Sequence, residues 1–558
     1  MTSSDSGFRT WVASGAPWIW LNASAVSLSI VITFGLLFLI IVRGMSHFWP
    51  AAVIEASYLS APGAAAVRVI GEITDTEAVP VAQVPGAAAF AGPGETLITR
   101  HLLKTGNRDV IGRDFQWVLA PGLGEMSTPP DLVVMERREW GNFYGRLQQV
   151  KARGEVVASG EAAWDEMQPR LERALRLAAE VEHIEKVEIG RVNYELEKLR
   201  KAERRLELRG QKTPETMAEI EAGRAGFNAE YERLNRSRQA LIQELARDSV
   251  MVQLMDGQTR EIKLGQVVDA WRPNTMGLAD KIGFYFHKLW GFLWDGPREA
   301  NTEGGIFPAI YGTVALVILM SILVTPVGVI TAVYLREYAK QNWFTRLIRI
   351  SVNNLAGVPS IVYGVFGLGF FVYFLGGSID HLFFPEALPA PTFGAGGLLW
   401  ASLTLALLTV PVVIVATEEG LARIPRNVRE GSLSLGATKF ETLWRTVLPM
   451  ASPGMMTGLI LAIARASGET APLMLVGVVK LAPSLPVDLN APFVHLERKF
   501  MHLGFHIYDV GFQSPNIEAA QPLVYATAFA LVLVIMTLNL AAIGIRNRLR
   551  EKYRALDN

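Results

Sequence analysis

Two charged side chains, Arg465 and Glu469, stand four residues apart inside an otherwise apolar stretch of the sequence. Residues 446–464 before them and residues 470–479 after them carry no charge. A charge at the centre of a bilayer costs roughly 2.5–3.5 kcal/mol on insertion scales, so an intramembrane arginine usually serves a function. The guanidinium of arginine binds oxyanions through a planar fork of N–H donors. The two residues therefore predict an anion contact inside a membrane-spanning segment.

The spacing of the two charges and the residues beside them predict which way the side chains point and where the helix is weakened. Residues four apart share one face of a helix, and both charges should face the interior of a helix bundle. Pro472 cannot donate to the carbonyl of Gly468, which predicts a loosened helix, and Gly468 admits close approach of another backbone. Glu469 either accepts a hydrogen bond from a protonated oxyanion or balances Arg465 while the site is empty. An ion pair that merely locks two helices together is a further alternative.

The composition restricts the function classes. The 558 residues include 53 basic and 53 acidic side chains, and this balance gives no indication of nucleic-acid binding. The absence of cysteine excludes disulfides, thiol nucleophiles and thiolate metal sites. The sequence has no Ser/His/Asp arrangement, no metalloprotease motif and no phosphate-binding Gly-x-x-x-x-Gly-Lys-Ser/Thr loop, so it offers no recognisable ATP-hydrolysis site of its own. The histidines at 495, 502 and 506 lack a confirming ligand spacing, and neither a metal nor a cofactor is predicted.

Six charge-poor stretches reach the roughly 20 apolar residues that a bilayer crossing requires. Residues 161–247 alone hold 18 acidic and 17 basic residues, so the remainder is more apolar than the mean hydropathy of +0.25 indicates. The fold class is therefore an all-α polytopic membrane protein with six transmembrane helices. We place the spans near residues 19–42, 308–335, 350–375, 395–417, 454–478 and 523–545.

The distribution of Lys and Arg predicts the topology of these spans. The connections at 336–349 and 418–449 and the C-terminal tail are basic, whereas 376–394 contains neither Lys nor Arg. Basic connections are cytoplasmic in most membrane proteins. Counting back through the spans puts the amino terminus inside and residues 51–300 outside. The orientation of the first helix rests only on this count of spans.

The outer residues 51–300 form a large α+β insert with two kinds of pattern. Short β-like runs between Gly/Pro/Ala-rich turns, as at 67–73, predict a β-rich base. Within 161–247 the apolar residues step by three and four, which predicts a long antiparallel helical hairpin whose first helix is about 70 Å long. Gly210 can end that helix, and the Thr-Pro pair at 213–214 can cap the next one. The hairpin is either a docking arm for a partner outside the membrane or a solvated hairpin without one.

The basic segment 418–449 predicts two short helices joined by a glycine. Gly436 suits the end of the first helix, where a positive φ is required. Thr438 and Glu441 form a capping-box pattern at the start of the second helix. An amphipathic elbow of this kind on the cytoplasmic face fits a groove on another protein.

The spacing within this segment resembles the coupling motif of ABC importer permeases. That motif runs Glu-Ala-Ala, three residues, Gly, nine residues, Ile, any residue and Leu-Pro. The sequence keeps the spacing and the residues Glu430, Gly436, Leu448 and Pro449. It departs from the motif at Gly431, Ser432 and Thr446.

Further segments are similar to the phosphate permeases of the PstA type: 304–313, 326–338, 357–364 and 464–472. The resemblance covers 303–545 well and the first helix loosely, and it leaves out 51–300. It implies a type I ABC importer in the bacterial inner membrane and a chain that is a transporter subunit, not an enzyme. The implied partners are a second phosphate permease subunit, an ATP-binding cassette ATPase dimer and an extracytoplasmic phosphate-binding protein.

The resemblance also implies roles for individual residues. The substrate pathway would include Arg465, Gly468, Glu469 and Thr470. The ATPase coupling surface would include Glu430, Gly436, Leu448 and Pro449. The alternatives are a permease for another oxyanion and a membrane scaffold or sensor that acts through the hairpin.

The predicted organisation has three parts. Residues 1–50 contain the cytoplasmic N-terminus and the first transmembrane helix. Residues 51–300 form the extracytoplasmic, periplasmic insert with its hairpin at 161–247. Residues 301–558 form the ABC permease transmembrane domain, and the lipid bilayer surrounds the spans.

Overall fold

The computed structural model describes residues 11–488, 490–491, 493–514 and 517–554. Within these ranges, six helical segments are long and apolar enough to cross a membrane, judged by length and composition. We call them the first to the sixth span: Ala16–Phe48, Phe307–Tyr338, Ser360–Phe383, Leu398–Ala422, Lys439–Gly468 and Ala520–Lys552. Six spans are predicted and six are found, but the third and fifth have different boundaries.

The helices and strands are numbered in chain order. The helices are α1 (Ala16–Met45), α2 (Arg108–Ile111), α3 (Ala162–His183), α4 (Ile189–Leu208), α5 (Pro214–Leu245), α6 (Leu278–Trp294), α7 (Phe307–Val333), α8 (Trp343–Leu355), α9 (Ser360–Phe366), α10 (Gly377–Phe383), α11 (Leu398–Ala422), α12 (Arg426–Ser434), α13 (Lys439–Thr442), α14 (Leu448–Gly468), α15 (Ala471–Val476), α16 (Leu503–Tyr508) and α17 (Ile517–Arg554). The strands are β1 (Val53–Tyr58), β2 (Val67–Pro80), β3 (Leu97–Lys104), β4 (Phe115–Leu119), β5 (Leu132–Arg137), β6 (Asn142–Ala152), β7 (Glu155–Ser159), β8 (Asp248–Gln253), β9 (Thr259–Lys263), β10 (Val267–Trp271), β11 (Pro297–Arg298) and β12 (Glu303–Gly304).

A separate amphipathic helix, α8, precedes the third span, which the sequence places at 350–375. Asn342 starts α8, because its side-chain oxygen accepts a hydrogen bond from Thr345 N at 3.0 Å. Pro359 then separates α8 from the span that begins at Ser360. Proline favours an extended conformation in the preceding residue and lacks an N–H donor, so it ends helical pairing at this point.

The fifth span begins and ends earlier than the predicted 454–478. It runs from Lys439 through a π-helical turn at 443–447 into α14 and ends at Gly468. Pro472 lies at the start of the next short helix, α15, where its missing N–H removes no helical bond. The apolar residues that follow Gly468 therefore belong to a second helix, not to the span.

Small residues bring the fourth span close to the second and fifth spans. A β-carbon at Gly454 would lie 2.8 Å from Gly420 Cα, and one at Gly328 would lie 2.6 Å from a side-chain carbon of Val413. Close contacts of this kind are typical of helix packing in membranes. The fourth span is the most buried of the six and forms the centre of the bundle.

The first span lies at the edge of the bundle, against the sixth. A β-carbon at Gly44 would lie 2.7 Å from Ala526 N, so the end of the first span meets the beginning of the sixth. The two spans are therefore antiparallel. Because the connection 479–514 leads into the sixth span, it lies on the same side as the end of the first span. This packing agrees with the orientation of the first helix that follows from counting the spans.

Two antiparallel sheets form the β-rich base expected from the sequence. One has the strand order β1-β2-β3-β4, and the other has β10-β5-β6-β8-β9 with β7 paired to β6. In the second sheet, Val250 pairs with Val150 and with Ile262 on the two neighbouring strands. These side chains form a buried core with Met167 of α3, which fixes the foot of the hairpin on the sheet.

The helical hairpin is inserted between β7 and β8. Helix α3 continues through a π-helical turn into α4, and α5 returns beside it. Ile184, Val192 and Leu234 form the buried seam between the two arms. At the tip, Gly210 has a φ of +66° and the side chain of Thr213 caps α5, as the sequence predicts.

The hairpin folds back onto two connections of its own chain. Arg205 of α4 pairs with Glu386, between the third and fourth spans, with Nε 3.2 Å from Oε1. The hydroxyl of Tyr194 donates to the carbonyl of Ala491, between the fifth and sixth spans. We call the side of the bundle that holds these connections the outer side. Neither predicted role of the hairpin, a docking arm for a partner or a solvated hairpin without one, involves this contact within the chain.

Candidate functional site

Arg465 lies in the last turn of α14, and Glu469 is the first residue beyond the end of that helix. Glu469 has an extended backbone with φ −79° and ψ 124°, so the predicted shared face of one continuous helix is wrong. The two side chains nevertheless meet, with Arg465 Nε 3.6 Å from Glu469 Oε1. The predicted loosening of the helix beside Pro472 is confirmed as a complete break.

The ion pair is partly buried and faces a side of the bundle that the described chain leaves open. That both charges face the interior of a helix bundle stays a prediction. The side chains of Arg465 and Glu469 are 34% and 20% exposed. Gly468 is exposed, and a β-carbon there would meet no atom within 4 Å. Leu461, one turn before Arg465, is exposed as well. Because two charges in contact with lipid are costly, this face requires a protein or water-filled neighbour.

Helix α16 covers the outer side of the pair at Thr470. A β-carbon at Gly504 would clash with Thr470 Oγ1 and would lie 3.2 Å from the ring of His502, so glycine permits the contact. His502 Nδ1 accepts a hydrogen bond from Gly504 N at 3.1 Å, which leaves the proton of the neutral ring on Nε2. Burial lowers the pKa of His502 to about 4, so the ring is uncharged at neutral pH. Thr470 therefore lies between the ion pair and a neutral cover.

A separate groove along α14 comes within one helical turn of Arg465. Its lining includes Leu461 of α14 with Pro411, Val415 and Glu419 of the fourth span. Leu461 is one helical turn from Arg465, so the groove and the ion pair share one side of α14. The groove leads toward the end of the fourth span, where the basic connection begins. Within the part of the chain that the structure describes, no group of three or more His, Asp or Glu side chains is placed to hold a metal ion.

The predicted coupling residues lie on a pair of short helices, α12 and α13, and at the start of α14. We call α12, α13, the turn between them and the π-helical turn at 443–447 the coupling elbow. Glu430 is exposed on α12, and Gly436 follows that helix with a φ of +89°, which residues with a side chain rarely adopt. Leu448 and Pro449 are half-buried in the first turn of α14. The four residues therefore divide between the exposed elbow and the membrane span.

A capping box begins the helical segment that leads to the ion pair. Thr438 Oγ1 accepts from Glu441 N at 3.2 Å, and Glu441 accepts from Thr438 N at 2.9 Å, as predicted. From Lys439 the segment continues over 30 residues to Gly468, a length of about 45 Å. One helical segment thus links the coupling elbow to Arg465.

Arg429 anchors the coupling elbow, a role that the sequence does not reveal. Its guanidinium pairs with Glu337 at the end of the second span, and it also donates to the carbonyls of Leu421 and Ile424. Lys439 donates to the backbone carbonyl of Glu337. The sequence offers one indication of this anchor: Glu337 is the single acidic residue in the basic connection 336–349.

The coupling elbow presents an exposed apolar patch, which we define as Leu435, Phe440 and Trp444. Leu435 is 91% exposed, and the rings of Phe440 and Trp444 are stacked with an interplanar angle of 8°. Large apolar side chains exposed together on a helix mark a binding surface for another protein.

Comparison with known proteins relates the spans to one group of transporters. A family model described as binding-protein-dependent transport system inner membrane component matches residues 324–555. The phosphate transport system permease protein PstA 1 of Mycobacterium tuberculosis is 35% identical over 267 residues, which cover 48% of this chain and 77% of that protein. PstA of Mycobacterium leprae is 38% identical over 198 residues, which cover 35% of this chain and 58% of that protein. A solved structure of the MetNI methionine ABC transporter covers 43% of this chain and 94% of its own, at 18% identity and a TM-score of 0.31 that is too low to define the fold.

The residues matched by the family model contain both parts of the candidate site. Residues 324–555 include Arg465 and Glu469 as well as the coupling elbow, and they leave out the insert. The M. tuberculosis relative has more than three quarters of its length covered at 35% identity. The chain therefore belongs to the PstA-type family of phosphate transport system permeases, which are membrane subunits of ABC transporters.

Proposed function

We propose that this permease subunit imports inorganic phosphate in an ATP-driven complex, with Arg465 and Glu469 as the anion contact of the pathway. The observation that carries the proposal is the position of this ion pair on an open face, where the fifth span ends. A second phosphate permease subunit would cover that face, so that the pathway runs between the two permeases. Covering the charges with protein and water avoids the cost of placing them in hydrocarbon.

The chemistry of phosphate suits these side chains. Arg465 offers the planar fork of N–H donors that phosphate oxygens accept. Glu469 accepts a hydrogen bond from the protonated oxygen of hydrogen phosphate, a donor that sulfate lacks at neutral pH. Gly468 leaves space beside the pair, and Thr470 offers a hydroxyl at its outer edge. In the empty pathway Glu469 balances the charge of Arg465.

The coupling elbow would dock into the ATP-binding cassette ATPase dimer through its exposed apolar patch. Glu430 and Gly436 shape this elbow, while Leu448 and Pro449 begin the membrane part of the same span. Because Lys439–Gly468 is one helical segment, closure of the ATPases would move the helix end that carries Arg465. This movement would switch the site from outward-facing to inward-facing.

The proposed orientation puts the basic connections in the cytoplasm of a bacterium and the insert, 51–300, in the periplasm. Two ion pairs join the connections 336–349 and 418–449: Arg429 pairs with Glu337, and Arg349 pairs with Glu418 at 3.3 Å. These contacts support the proposal that both connections lie on the same side of the membrane. The extracytoplasmic phosphate-binding protein would deliver its anion to the opposite, outer side.

Uptake of labelled phosphate by the complete complex in vesicles tests the proposal. We expect uptake to require ATP, and we expect excess unlabelled phosphate to compete, whereas sulfate and molybdate do not. Equal competition by sulfate or molybdate would favour the permease for another oxyanion. Absence of any ATP-dependent anion uptake would contradict both transport functions.

A membrane scaffold or sensor that acts through the hairpin is the alternative from a different class. It requires a hairpin surface directed at another protein, whereas Arg205 and Tyr194 of the hairpin contact this chain itself. Stimulation of the partner ATPase by the permease would argue against a scaffold. A chain that leaves ATP hydrolysis unchanged would argue for one.

A further inference from the structure

We propose that α6, Leu278–Trp294, is an in-plane anchor that binds the lipid interface and holds the insert against the bilayer surface. The proposal concerns a lipid-binding surface and goes beyond phosphate import. It holds for whichever leaflet the insert faces.

One face of α6 presents an unbroken strip of large apolar side chains. The members of this strip are spaced four residues apart, which places them along one side of a helix. Each of them is 44–70% exposed: Leu278, Ile282, Phe286, Trp290 and Trp294. Ala279 and Gly283 lie between them, so this face carries no charge. A strip of this kind needs a partner that removes it from water.

The opposite face of α6 is fixed to the β-rich base. Lys288 pairs with Glu136 of β5 and with Asp269 of β10, the latter with Nζ 2.7 Å from Oδ2. Burial alone would lower the pKa of Lys288, but the two carboxylates outweigh burial and hold that pKa above its ordinary value. Phe284 packs against Trp271 with ring centroids 4.8 Å apart. These contacts prevent the helix from rotating to bury its apolar strip in the base.

Two aromatic contacts fix α6 at the level where the spans enter the bilayer. Phe48, the last residue of the first span, packs against Phe292 with ring centroids 5.0 Å apart. Trp294 stacks on Phe307, the first residue of the second span, at 5.4 Å and 28°. Tyr285, two turns before Phe292, also lies near Phe48, with ring centroids 6.3 Å apart. The last three turns of α6 therefore lie at the level where both spans end.

This position identifies lipid as the occupant of the strip. The strip ends at Trp294, directly on the second span, and is therefore continuous with the lipid-facing surface of the spans. Amphipathic helices with tryptophan on the apolar face bury that face at the boundary between headgroups and acyl chains. Tryptophan is also enriched at this depth in spanning helices.

Site-directed spin labelling tests the proposal on the full-length chain, assembled with its co-expressed subunits in lipid nanodiscs. The chain has no cysteine, so single cysteines can be labelled without removing others. Phe286→Cys and His287→Cys form a matched pair, because His287 is exposed but lies about 100° further around the helix. We expect the label at 286 to collide several-fold more often with oxygen, which concentrates in lipid, than with a water-soluble nickel chelate. We expect the reverse ratio at 287.

Two results would overturn the proposal. A label at 286 that collides mainly with the nickel chelate would show that water covers the strip. A label at 286 shielded from both reagents would show that a protein covers it. Trp290→Cys repeats the measurement if the Phe286 variant does not assemble. The readout does not depend on transport, so either result leaves the proposed phosphate import to its own test.

Discussion

Arg429 of the coupling elbow and Glu337 at the end of the second span form an ion pair, with Nη2 2.9 Å from Oε1. The same guanidinium donates to the carbonyls of Leu421 and Ile424 at 2.8 and 2.7 Å. Leu421 lies in the last turns of the fourth span. One side chain therefore joins the coupling elbow to two spans, and a force on the elbow acts on both.

Replacement of this arginine should uncouple transport. Arg429→Ala removes three hydrogen bonds and leaves Glu337 unpaired, a local loss of about 2–3 kcal/mol. We expect ATP-dependent phosphate uptake to fall at least about tenfold, a factor that corresponds to 1.4 kcal/mol. Arg426→Ala, at an exposed arginine of the same helix, is the control and should retain uptake. Normal uptake by the Arg429 variant would contradict the anchoring role.

The apolar patch on the coupling elbow should hold the ATPase. Trp444→Ser removes one of its stacked rings, and we expect less ATPase to copurify with the permeases because apolar contact area is lost. Trp343→Ser, at a residue of α8 that is 75% exposed, is the matched control and should leave copurification unchanged. Equal loss in both variants would mean that the patch has no specific part in docking.

The contact between the hairpin and the outer connections should depend on charge. Glu386 is buried while Arg205 is half-exposed, so the pair contributes about 0.5–1 kcal/mol and Arg205→Glu should shift the docked population a few-fold. Electron–electron resonance measures the distribution of distances between a spin label near Gly210 and one on the bundle. In the Arg205 variant this distribution should broaden. The double variant Arg205→Glu with Glu386→Arg should narrow the distribution again. An unchanged distribution in the single variant would show that this ion pair does not hold the hairpin.

Glu303 should make the chain less stable as the pH rises. Burial raises the pKa of Glu303 from 4.5 to about 7, and its Oε2 has no hydrogen-bond partner among the described residues. Between pH 4.5 and 7 the folded chain binds more protons at this site than the unfolded chain, so the free energy of unfolding falls with increasing pH. The total loss is roughly 3 kcal/mol.

Thermal unfolding of the purified chain at pH 5 and pH 8 measures this effect. Glu303→Gln removes the titrating group, and we expect a higher midpoint than the parent chain at pH 8 and a smaller difference between the two pH values. Glu77→Gln, at a partly exposed carboxylate of β2, is the control. A Glu303 variant with the parent's pH dependence would contradict the raised pKa.

Local features of this fold follow from the sequence because they depend on near neighbours. Charge-free runs predict the number of spans, and the conformations at Gly210, Gly436 and Thr438 follow from the rules for helix ends. The apolar residues after Gly468 conceal the end of the fifth span, because hydropathy cannot distinguish one long helix from two.

Contacts between distant residues are not visible in the sequence for a different reason. Arg205 is one of 17 basic residues in the hairpin block, and its partner Glu386 lies 181 residues away. Arg429 and Glu337 are 92 residues apart. Many pairings of these charges are chemically equivalent, and only the packing of the spans and the insert selects among them.

Phosphate uptake by the Arg465→Ala variant is the most direct test of the pathway role. We expect uptake to be abolished, whereas the chain still inserts into the membrane and still assembles with the second permease and the ATPase. The variant loses the anion contact, but it removes no side chain from the buried core. Thr457→Ala, at an exposed residue two turns earlier on α14, is the matched control and should transport. Phosphate uptake that persists in the assembled Arg465 variant would contradict the pathway role, and failure to assemble would show that the pair with Glu469 is structural instead.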